Sequence, residues 1–70
     1  MEQRLENFER MLSAVQESYH RTVTKMEQLK QAGKEKTVTF RQLMGDKLTY
    51  QNMLSMYKIY GLLDDEPRER

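Results

Sequence analysis

The sequence predicts an all-α protein: an antiparallel helical hairpin that associates with a second copy into a dimeric helical bundle. Three observations lead there. An apolar stripe at heptad spacing runs from Met1 to Leu29. A short connector at 33–38 separates it from a second segment that carries helix start and stop chemistry. The apolar faces of both segments are larger than one chain of 70 residues can cover.

The first helix is expected over about 2–32. Met1, Leu5, Phe8, Leu12, Val15, Tyr19, Thr22, Met26 and Leu29 alternate in steps of four and three. This is an a/d seam with one polar member, Thr22. No proline or glycine interrupts residues 1–32, and good helix formers dominate them. Gly33 then offers the positive φ that ends many helices.

The second helix is expected over about 40–60. Thr39 and Gln42 have the spacing of a capping box, with Val38 and Leu43 as its hydrophobic staple. Gly61 is placed as C′, and Leu62 at C″ can then touch Tyr57 at C3 in a Schellman ending. Gly45 costs ~1 kcal/mol against alanine inside a helix. Thr49, flanked by Leu48 and Met53, offers a second cap just beyond it. A break or kink near Gly45 is therefore expected: a short turn of helix at 40–44 before a main helix at 50–60 is favoured over one helix kinked at Gly45.

The hairpin domain spans 1–63. Residues 64–70, Asp-Asp-Glu-Pro-Arg-Glu-Arg, are charged apart from the proline and read as a disordered tail. Charge is otherwise near balance, with 12 Lys+Arg against 11 Asp+Glu. The middle of the chain is the basic part: residues 33–61 carry five cationic and two anionic side chains.

Dimerisation follows from size. A 31-residue helix is ~46 Å long, whereas a compact 70-residue globule is under ~30 Å across. Leaving Leu5, Phe8, Leu12 and Val15 in water forfeits ~1.5–3 kcal/mol each. On the second helix, Gln51, Ser55 and Lys58 form a narrow polar stripe with Asn52 at its edge. The remaining arc is apolar over about twice the ~100° that one neighbour needs. The interface expected for self-association or a protein partner comprises Leu5, Phe8, Leu12, Val15, Tyr19, Met26 and Leu29 with Met53, Leu54, Tyr57 and Tyr60. Six methionines and four tyrosines make such a surface adaptable.

Enzymatic chemistry finds no foothold. The chain has no cysteine and no glycine-rich phosphate loop, and Ser13, Ser18 and Ser55 have no plausible His–carboxylate geometry from a single histidine, His20. Glu17 and His20 have the Glu-x-x-His spacing of di-metal bundles, but they fall off the seam and the second helix has no glutamate. No metal and no cofactor is expected. The absence of cysteine excludes a disulfide scaffold. No run approaches the ~18–20 apolar residues of a membrane span, and no signal segment opens the chain. The expected protein is cytoplasmic and non-catalytic, an adaptor or regulatory subunit acting as a homodimer. The alternative is a small DNA-binding regulator with a helix-turn-helix-like segment at 40–60. In it Gln51, Asn52, Ser55 and Lys58 would face bases, and Arg41 and Lys47 phosphates. A pI near 8.0 is weak support for that electrostatic footprint.

Overall fold

The computed structural model describes residues 2–63. Met1 and the charged 64–70 segment lie outside the described residues, and with them the expectation of a disordered tail. Two helices account for most of the rest: α1, Glu2–Gln31, and α2, Val38–Ile59. They pack against each other as a hairpin.

The end of α1 is set by Gly33, whose φ is +74°. The Lys34 amide donates to the Leu29 carbonyl at 2.8 Å and the Gly33 amide to Lys30 at 3.0 Å. This pair of bonds is the Schellman pattern, which satisfies carbonyls the helix would otherwise leave open. The same two bonds recur at the end of α2. There Gly61 takes φ +74°, the Leu62 amide reaches the Tyr57 carbonyl at 2.8 Å, and the Gly61 amide reaches Lys58 at 3.0 Å.

The start of α2 differs from the sequence expectation. Thr37, not Thr39, is the N-cap. Its backbone is extended, at φ −86° and ψ 160°, and its hydroxyl accepts from the Phe40 amide at 3.2 Å. The same hydroxyl donates to the Lys34 carbonyl at 2.8 Å, so one side chain closes the connector and opens the helix. Thr39 lies within the first turn, the box with Gln42 does not form the cap, and Val38 stands 76% exposed rather than stapled.

The break at Gly45 is also corrected. α2 runs through residues 45–48 without interruption. Thr49 does not cap a new helix. Its hydroxyl donates back to the Gly45 carbonyl at 3.1 Å. Interrupting α2 would open two further helix ends with unsatisfied backbone groups, a larger loss than the ~1 kcal/mol cost of one glycine. The helix-turn-helix-like segment of the alternative reading is thus replaced by one continuous helix.

Continuity lets α2 present its own heptad seam to α1. Phe40, Leu43, Lys47, Tyr50, Leu54 and Tyr57 alternate in steps of three and four. Phe40 is buried and the other five are half-buried. Across from them, Leu12, Val15 and Thr22 of α1 are buried, while Phe8, Tyr19, Met26 and Leu29 are half-buried. The Phe8 and Tyr57 rings meet edge to face, with centroids 5.5 Å apart. The Gln51 amide nitrogen donates to the Tyr19 hydroxyl at 3.4 Å. These pairs fix an antiparallel register. The 30 residues of α1 outrun the 22 of α2, so Leu5 lies near the uncovered end and is 60% exposed.

Candidate interaction surface

The hairpin has an inner seam, two flanks and the outer faces of its helices. The inner seam accounts for most of the interface residues expected from sequence. Phe8, Leu12, Val15, Tyr19, Met26 and Leu29 lie on the side of α1 that meets α2. Met53, Leu54 and Tyr57 are half-buried on α2. Leu5 and Tyr60 are exposed.

One flank holds an open groove of about 670 Å³ between the helices, lined by Gln16, Tyr19 and His20 of α1 and by Gln51, Asn52, Leu54, Ser55 and Lys58 of α2, with Leu63 beyond its end. The volume falls in the range of ligand pockets, but such pockets enclose ~70–90% of their ligand, and two helices supply only two walls. His20 is exposed and lies edge to face with Tyr19, with centroids 5.7 Å apart. Its expected neighbour Glu17 pairs instead with Arg21, one turn on, at 3.8 Å. Among the described residues no three histidine or carboxylate side chains cluster as metal ligands would.

The six residues considered for nucleic acid do not share a face. Gln51, Ser55 and Lys58 line the groove, and Asn52, which borders it, stands on the side of α2 turned away from the seam. Arg41 is exposed near the connector, and Lys47 is half-buried in the seam. Charge nevertheless separates along the long axis. The connector end, residues 18–48, carries seven cationic and three anionic side chains. The open end, residues 2–17 with 49–63, carries three and four.

The outer face of α2 was only partly visible in the sequence. Opposite the seam stand Leu48, 54% exposed, Met56, 52% exposed, and Ile59, 72% exposed, spaced around Asn52. The signal that points to them is the second heptad: once Phe40, Leu43, Lys47, Tyr50, Leu54 and Tyr57 are assigned to the seam, Leu48, Met56 and Ile59 have no neighbour left among the described residues. No described helix is long and apolar enough to cross a membrane. Comparison with known protein families, curated proteins and solved structures finds no match to this chain.

Proposed function

We propose that this chain is a cytoplasmic, non-catalytic interaction protein, an adaptor or regulatory subunit, whose working form is a homodimer of helical hairpins. The observation that carries the reading is the apolar outer face of α2. Leu48, Met56 and Ile59 are at least half exposed on a helix whose other side is already committed to α1. A helix that is apolar on opposite sides needs two neighbours, and the hairpin provides one. The small core argues the same way: Leu12, Val15 and Phe40 are the only described apolar residues that the hairpin buries. Association adds burial to a chain whose length makes it marginal alone.

Sedimentation equilibrium and thermal melts over a hundredfold range of concentration test the reading. A dimer with a melting point that rises with concentration supports it. A monomer throughout, with a constant melting point, overturns it. Added duplex DNA serves as a control: a complex that weakens steeply with salt would favour the DNA-binding alternative, since each phosphate contact contributes about −0.9 to the log–log slope.

A further inference from the structure

We propose that two copies pair through the outer face of α2, with the two α2 helices antiparallel and Asn52 on the two-fold axis. This rests on the self-association reading and adds to it the face, the direction and the register.

The outer stripe is symmetric in sequence about Asn52. Leu48 and Met56 lie four residues to either side, and Gly45 and Ile59 lie seven to either side. An antiparallel partner centred on Asn52 therefore sets Leu48 against the second copy's Met56 position and Ile59 against its Gly45 position. The sizes match. A side chain built on Gly45 would meet nothing within 4 Å, so the space over its backbone is open to a partner's side chain. Ile59, one of the most exposed apolar residues of the hairpin, is the knob that fills it. A parallel pair sets two glycines against each other and two isoleucines against each other, leaving a void in one layer and a collision in the other.

Charge selects the same direction. The connector end has an excess of cations and the open end does not. Antiparallel pairing carries each basic end towards the partner's open end. Parallel pairing puts both basic ends together. At the centre, a carboxamide both donates and accepts, so Asn52 is complementary to itself across a two-fold axis. One polar residue in an apolar helix interface fixes register.

The chain has no cysteine, so introduced thiols report without background. Three variants, Leu48→Cys, Asn52→Cys and Met56→Cys, are oxidised alone and in pairwise mixture after sedimentation has established the dimer. Antiparallel pairing separates the two copies of position 48 by eight residues, ~12 Å along the helix, beyond the ~7 Å Cα reach of a disulfide. The expected result is that Asn52→Cys crosslinks to itself, and that Leu48→Cys mixed with Met56→Cys gives about tenfold more crosslink than either alone. Efficient self-crosslinking of Leu48→Cys and Met56→Cys would overturn the antiparallel arrangement while leaving the dimer standing. A dimer that crosslinks in no arm would overturn the choice of face. A monomeric wild type would remove the self-association on which all of it rests.

Discussion

Two threonines stand near the start of α2, and the structure gives the cap to the first. Thr37 is tied on both sides, accepting from Phe40 and donating to Lys34, whereas Thr39 sits exposed in the first turn. Thr37→Ala should cost ~0.5–2 kcal/mol in urea denaturation. Thr39→Ala should stay within ~0.5 kcal/mol of the parent, as exposed sites do. The reverse ranking would return the cap to Thr39. Thr22 presents the opposite situation. It is only 8% exposed in the seam, and its hydroxyl has no hydrogen bond among the described residues. Valine has the same shape and a similar helix propensity. Since a buried hydroxyl without a partner costs ~1–3 kcal/mol by mutational measures, Thr22→Val should raise the denaturation midpoint. A lower midpoint would show that the hydroxyl is hydrogen-bonded after all, for instance through a water.

At the scale of the helices, the three glycines separate into two kinds. Gly33 and Gly61 take φ +74°, whereas Gly45 sits in ordinary helix with open space around it. Gly33→Ala should lower stability by ~1–2 kcal/mol because a Cβ is strained in the left-handed region. Gly45→Ala should raise it by ~0.5–1 kcal/mol, measured dilute enough that the hairpin is alone. If both substitutions destabilise equally, Gly45 has a conformational role inside α2. Both glycine endings were legible, because Gly33 and Gly61 each follow a helix-forming run and the Schellman bonds depend only on adjacent backbone. The seam of α1 was legible too, since its steps of four and three never falter. The seam of α2 was harder to read. Lys47 occupies one of its positions, half-buried, and a charged residue type there hides an apolar period, although a lysine stem can cover apolar surface. The cap was misplaced for a related reason. Thr39 and Gln42 satisfy a local pattern, but the actual start is set by Thr37 bonding back to Lys34, which depends on where α1 ends. Gly45 misled because propensity counts one residue, whereas the seam on either side of it acts on the whole helix.

For the molecule as a whole, the distinction that matters is between apolar residues facing α2 from α1 and those facing out from α2. Leu12 is already covered within one hairpin. Leu12→Lys should therefore strike folding itself, because a buried ammonium without a partner costs several kcal/mol even after relaxation. That is a large share of the ~5–15 kcal/mol that holds a small fold. Met56 faces outward and is about half exposed. Met56→Lys adds a charge that water solvates freely in the single hairpin but that a second helix would bury. The two variants should consequently fail in different ways. Leu12→Lys should lose helical circular dichroism at every concentration. Met56→Lys should keep its helical signal at low concentration, sediment as a monomer, and melt at a temperature independent of concentration. A Met56→Lys protein that still dimerises would move the contact to another face, with the exposed Leu5 and Met11 of α1 as the next surface to substitute. A Leu12→Lys protein that stays helical would mean that the seam tolerates a lysine at this position as it does at Lys47, by leading the charge out along the flank.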